Sequence, residues 1–219
     1  MFDSAVWSMI GRGILESLYM TLVSTFFAYM LGLPLGIIMV VTDKDGIYPL
    51  RTFNWILGLI INILRSVPFL ILLVVVIPIT RIIVGTTLGS TATIVPLVIS
   101  AAPFIARLAE SSMKEVDKGV IEAAQSMGAS SMQVITKVLL PEARPSLLVG
   151  SAIAVTTILG YSAMAGFVGG GGLGDIAIRY GYHRYQTDIM LVTVALLVII
   201  VQGFQAAGMR LARIGDKRI

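Results

Sequence analysis

The sequence predicts an all-α, polytopic membrane protein with about five transmembrane helices. Three observations predict it. The 219-residue chain is 57% hydrophobic and only 13% charged, with a mean hydropathy of +0.93, which is too apolar for a water-soluble globule of this length. A hydrocarbon core of about 30 Å needs about 20 helical residues at 1.5 Å each, and apolar stretches of that length recur along the chain. The basic residues, finally, fall mostly into alternate connecting segments, as in a chain with a fixed orientation in a bilayer.

The spans are expected over residues 18–41, 55–79, 91–109, 147–168 and 188–209. Ahead of them, residues 1–12 are apolar, carry Trp7, and are expected to lie along the outer surface. They do not read as a cleavable signal, because the apolar run after Arg12 is too long and no small-residue cleavage site follows promptly. Arg65-Ser66 interrupts the second span, and Pro34, Pro68, Pro78, Pro96 and Pro103 fall inside or at the ends of the first three. Each proline removes a backbone donor and bends its helix, and in lipid such breaks need protein partners.

Lys44, Arg51, Arg107, Lys114, Lys118, Lys137, Arg144, Arg210, Arg213, Lys217 and Arg218 fall on one face of this layout, against Arg12, Arg81, Arg179 and Arg184 on the other. The positive-inside rule then places the N-terminus outside and the C-terminus in the cytoplasm. Trp7, Tyr180, Tyr182 and Tyr185 are expected near the outer interface, and Trp55 near the inner one.

Composition narrows the function. The net charge of +4 is modest, and the basic residues follow membrane topology, so nucleic acid is not an expected partner. With no cysteine, disulfides and thiolate sites are excluded. The single histidine, His183, lacks companions for a metal site. An ion-coupled carrier needs ionisable groups within the membrane, yet the carboxylates, Glu16, Glu110 and Asp175 among them, are expected at helix ends or in loops. There is no H-E-x-x-H for an enzyme and no P-loop, so the chain cannot hydrolyse ATP alone. A formal G-x-G-x-x-G match within Gly169–Gly174 has no preceding strand. Its glycines are expected to serve turns and close packing.

The longest polar insertion, Ser111 to Ser146, carries the strongest signal. Asp117 can cap a short helix to about Met127, with Val120, Ala124 and Met127 on one face. Gly128 suits the helix end. Ser130 to Gln133 has capping-box spacing and opens a second helix with Met132, Ile135 and Leu139 in a stripe, which Pro141 is expected to limit. A hairpin so small cannot fold alone, so it should lie on the membrane or dock into another protein.

Glu122-Ala123-Ala124, Gly128 and Val138-Leu139-Leu140-Pro141 resemble the EAA loop of ABC-importer permeases, with Val138 in place of the family's isoleucine. Asn62–Phe69, Ala101–Arg107 and Gly160–Gly166 resemble the methionine-importer permeases of that superfamily. The likeness implies a type I ABC importer permease fold, with a permease domain over residues 13–209 and a cytoplasmic tail over 210–219. It implies a coupling role for Glu122, Ala123, Ala124, Gly128, Val138, Leu140 and Pro141. The implied partners are a second copy of the chain, two copies of a cytoplasmic ATPase that uses ATP–Mg, an extracytoplasmic methionine-binding protein and the lipid of a bacterial inner membrane. This chain itself is expected to bind no cofactor or metal. Methionine, in its L and D forms, rests on the likeness alone, and another small amino acid or organic solute is the alternative. The competing reading of Glu122 is an exposed pair with Lys118, worth about 0.2–0.5 kcal/mol.

Arg65, Pro68, Tyr161, Ser162 and Met164 are the candidates for the translocation pathway or its outer gate. Arg65 falls well inside the second span, where an unpaired arginine is costly. It is expected to reach carbonyls freed near Pro68, or a partner subunit. For Tyr161, Ser162 and Met164 the alternative is ordinary helix packing.

Overall fold

A computed structural model describes residues 3–215; Lys217 and Arg218, expected in the cytoplasmic tail, lie outside the described residues. Helix α1 runs unbroken from Ser4 to Val41, and its N-terminus is capped by the Asp3 carboxylate, which accepts the Ser4 amide at 2.6 Å. The expected surface segment over residues 1–12 is therefore, from Ser4 onward, the first turns of a longer helix. No proline lies between Ser4 and the span, and the Asp3 cap settles where the helix starts.

Helix α1 buries Ser17, Thr21, Ser24, Ala28, Gly32 and Gly36, while Leu22, Phe26, Phe27, Met30 and Leu31 face outward. Small residues turned inward and large apolar ones turned outward are the pattern of a helix packed in lipid, where close backbone approach replaces the hydrophobic effect. The inward stripe meets helix α5, Ser90–Lys114. A Cβ on Gly32 would lie 2.5 Å from the Ala102 carbonyl oxygen, and one on Gly36 would lie 2.7 Å from that of Ala106.

The second expected span is not a single rod. Helix α2, Arg51–Ser66, and helix α3, Phe69–Val75, meet at a bend of 100°, and helix α4, Ile77–Val84, follows. The cause is local. Pro68 disfavours helical backbone at the residue before it, and Val67 is extended, with φ −78° and ψ 122°. Among the described residues there are thus four helices long and apolar enough to cross a membrane, and a fifth span only if the bent pair counts as one.

After α5 comes the hairpin of α6, Lys118–Ser126, and α7, Ser131–Val134. A π-helical turn, Ile135–Leu139, then leads directly into α8, Leu140–Met164. Pro141 therefore does not limit the second helix of the hairpin. It occupies the first turn of α8, where a missing N–H is tolerated, and the wide turn before it carries the helical path through.

A 3-10 turn, Ala165–Val168, ends α8; a glycine-rich loop, α9 (Gly172–Ile176), a second π turn (Ala177–Tyr182) and α10 (Thr187–Gly215) complete the chain. Gly169, Gly171 and Gly172 have φ of 75°, 81° and 77°, and a Cβ on Gly174 would fall 2.2 Å from the Ala163 carbonyl oxygen. Sharp turning and close approach are thus what the glycine run supplies. The Gly172 amide donates to Glu16 Oε2 at 2.7 Å and the Leu173 amide to Ser17 Oγ at 2.9 Å. Glu16 therefore sits within α1, not at a helix end or in a loop, and its carboxylate accepts one backbone amide, that of Gly172.

These contacts define two ends of the bundle. At one, Asp43 in the loop after α1 meets Lys114 at the base of α5. At the other, Gly89 before α5 bonds to Gly169, beside the Glu16–Gly172 contact. The core between them contains Met20, Phe69, Leu97, Ile105, Ala154 and Ile158.

Candidate functional site: the hairpin between α5 and α8

Short-range rules build the hairpin. Asp117 accepts the Gly119 amide at 2.6 Å and caps α6. At the far end the Ala129 amide bonds to Ala124 O and the Gly128 amide to Gln125 O, the paired bonds of a Schellman ending. Gly128 has φ of 81° with nothing near its missing Cβ, so backbone conformation alone requires glycine there. Ser130 and Gln133 form both halves of the expected capping box.

The expected stripe is divided between an inward and an outward side. Ala124, Val134 and Leu139 are buried and Ile121 half-buried, whereas Val120, Met127 and Met132 are exposed, Met127 to 82%. A cluster of Ala109, Met113, Val116, Leu139 and Ala143, with Ile121 and Leu140 against it, fastens the hairpin to α5 and α8. Of the two adjacent alanines, Ala124 packs inward and Ala123 is exposed beside Glu122. Val138 and Leu140 are half-buried and Pro141 is exposed. The outcome is an anchored base and a free outer surface made of Val120, Glu122, Ala123, Met127 and Met132.

Glu122 does not pair with Lys118, whose ammonium lies 3.5 Å from Asp45. Glu122 instead borders a cleft of about 350 Å³ between the loop after α1 and the hairpin, with Asp43, Asp45, Lys114 and Lys118 in its walls. Asp43 has its pKa lowered from the ordinary 3.8, chiefly because the Lys114 side chain donates to it at 2.6 Å. A carboxylate with a lowered folded-state pKa stabilises the fold fully above its unfolded value, and the contribution disappears as pH falls through the folded value. Thermal unfolding of Asp43→Asn and the parent is therefore expected to differ at pH 7 and to converge below pH 3.8.

The structure brings only some of the pathway candidates together. Pro68 caps α3, and the next residue, Phe69, stacks on Tyr161 of α8 with ring centroids 4.6 Å apart and planes 3° from parallel. Ser162 is buried and donates to Leu159 O, while Met164 is exposed. Arg65 lies in the last turn of α2, exposed, and does not reach the carbonyls near Pro68. Within the chain Tyr161 thus holds the broken segment against α8. An aromatic pair of this kind is worth about 0.5–1.5 kcal/mol beyond its buried area. Tyr161→Ala is expected to lower the unfolding temperature of the detergent-solubilised protein, and Tyr161→Phe to leave it nearly unchanged.

Residues 32–219 match the family model described as "Binding-protein-dependent transport system inner membrane component". The chain belongs to that family. It is 53% identical over 203 residues, 93% of this chain and 90% of the other, to the protein of Vibrio cholerae serotype O1 named "Probable D-methionine transport system permease protein MetI". It is 48% identical over 166 residues, 76% of each chain, to the Escherichia coli K12 protein "D-methionine transport system permease protein MetI". A chain in the inward-facing crystal structures of the MetNI methionine ABC transporter superposes with a TM-score of 0.97 at 46% identity, covering 99% of this chain and all of that one. An amino acid ABC transporter solved with histidines shares the fold at a TM-score of 0.78 and 18% identity.

This member of the family thus has the all-α, type I importer permease architecture. It is a membrane permease subunit of an ABC transporter, whose ATPase is a separate subunit. What sequence reasoning missed at this permease's site is the charged cluster beneath the hairpin, in which Lys114 bridges Asp43 and Glu110, and Glu110 also receives Arg107. The spacing of Arg107, Glu110 and Lys114, three and then four residues apart on one helix, was a usable signal. Asp43 was not, because its partner is remote in sequence.

Proposed function

We propose that this chain is the translocating subunit of an ATP-driven methionine importer of the bacterial inner membrane. It acts as a homodimer with two cytoplasmic ATPases and an extracytoplasmic methionine-binding protein. The observation that carries this reading is the anchored hairpin with an exposed, partly apolar outer face. Glu122 and Ala123 stand exposed between Val120 and Met127 on a base fixed by Leu139 and Val116. An apolar surface rimmed by a carboxylate suits a groove on another protein better than it suits water.

The methionine assignment is supported by the names of the relatives and of the neighbouring structure. The orientation, N-terminus outside and C-terminus inside, is supported by the basic residues gathered at the hairpin end. Two copies related by a two-fold axis would supply enough helices to enclose a pathway. ATP–Mg is used by the partner ATPase. ATP-driven closure of the two ATPases would move the docked hairpins and switch the bundle between inward-open and outward-open states. The test is uptake of labelled methionine into vesicles that contain the chain, its ATPase and binding protein, with and without ATP. ATP-dependent accumulation is expected, and equal uptake without ATP would refute the reading.

A further inference from the structure

The charged cluster below the hairpin has a geometry that packing alone does not require. Lys114 Nζ lies 2.6 Å from Asp43 Oδ2 and 2.9 Å from Glu110 Oε1. The other Glu110 oxygen accepts Arg107 Nη1 at 2.5 Å, and Glu110 is only 6% exposed. Arg107 then leaves its own helix. Its Nη2 donates to Gly58 O at 3.1 Å and to Asn62 Oδ1 at 3.0 Å, both on α2. The fork of a guanidinium suits such a two-point grip, which a lysine ammonium cannot reproduce.

Gly58 leaves this approach unhindered: a Cβ there would lie 3.3 Å from Arg107 Nη2, which the end of the side chain could relieve by a shift of a few tenths of an ångström. The grip falls one to two turns before the break at Ser66–Pro68, while α3 beyond the break packs on α5 through Phe69 and Leu73 and on α8 through the stack of Phe69 on Tyr161.

The two holds lead back to opposite sides of the hairpin. Helix α5 ends at Lys114 and is joined to α6 through residues 115–117, of which Val116 is buried in the cluster that anchors the hairpin. Helix α8 follows the hairpin directly through the π turn. Displacement of the hairpin thus reaches α2 through α5, where Arg107 adds a polar grip to the packing of Ile61 on Ala106, and reaches α3 through α5, at Leu97, Ala101 and Ile105, as well as through α8 and Tyr161. Any difference between the two falls on the extended backbone at Val67 and Pro68.

We propose that Arg107 is the positioning residue that carries movement of the coupling hairpin to α2, so that α2 turns relative to α3 about the Ser66–Pro68 break. This rests on the ATP-driven reading of the hairpin. The test must separate transmission from simple packing.

The chain has no cysteine, so spin labels at Ile63→Cys on α2 and Ile71→Cys on α3, both exposed, would mark the bend uniquely within it. In the full complex with a cysteine-free ATPase, the distance between labels is compared without nucleotide and with ATP plus vanadate. A nucleotide-dependent change is expected with native Arg107 and its loss with Arg107→Met. Methionine transported per ATP hydrolysed should fall about two- to thirtyfold, the range found for residues along a coupling network.

Asn62→Leu, which removes one of the two acceptors on α2 and keeps Gly58 O and every charge, should reproduce a smaller part of both effects. It decides the matter if Arg107→Met does not assemble. An unchanged distance response in Asn62→Leu, or no response with native Arg107, would overturn the proposal. The distance readout does not depend on the transported solute, so a complex that shows the nucleotide-dependent bend but imports no methionine would refute the substrate and leave Arg107 in its role.

Discussion

Replacing Gly36 by leucine is expected to leave little folded permease in a detergent extract. The missing Cβ would lie 2.7 Å from both the Ala106 carbonyl oxygen and the Ala109 Cβ, and neither atom can swing aside as the end of a long side chain could. Overpacking a well-filled contact typically costs about 1–3 kcal/mol, and more where backbone is the obstacle. The whole contact between α1 and α5 would have to open, and with it the stripe of Ser24, Ala28 and Gly32 on the same face. Gly203→Leu is the control, because nothing lies within 4 Å of its missing Cβ. Size-exclusion profiles should show a monodisperse peak for Gly203→Leu and aggregate for Gly36→Leu. Equal peaks would mean that the two helices are not packed through their glycines.

Glu122→Lys should instead leave the fold intact and remove coupling. Its carboxylate is exposed and takes part in neither the Lys118–Asp45 pair nor the Lys114 cluster, so reversing its charge disturbs nothing that holds the bundle together. At a docking surface the same reversal places like charge where unlike charge was matched, at a cost of several kcal/mol. Since about 1.4 kcal/mol is a tenfold change in an equilibrium, uptake and co-purification of the ATPase are each expected to fall by about tenfold or more. The unfolding temperature should match the parent. Normal uptake in this variant would remove Glu122 from the docking surface and leave the exposed Val120, Ala123, Met127 and Met132 as its candidates.

Much of the hairpin was legible because its signals are local. A capping serine and its glutamine lie three residues apart, and a left-handed glycine depends on its own φ. Which side chains of the hairpin turn inward was not legible, because that is set by where α5 and α8 lie, and their positions favour Ile121, Ala124, Val134 and Leu139. Pro141 was misread. As a local signal it ends a helix, yet the π turn before it lets the path continue into α8.

The sequence by itself determined that the chain is helical and membrane-embedded, which residues turn the hairpin, and which connecting segments share a face, because hydropathy, capping and proline chemistry act over a few neighbouring residues. Only the tertiary structure decided how far α3 swings from α2 beyond the Pro68 break, 100°, and the joining of Asp43, Glu110, Lys114 and Arg107 to Gly58 and Asn62. The Arg107 bonds to α2 span 49 and 45 residues of sequence. No local propensity can specify contacts of that range. They form only when close packing of Gly32 and Gly36 on α5 has fixed where each helix lies.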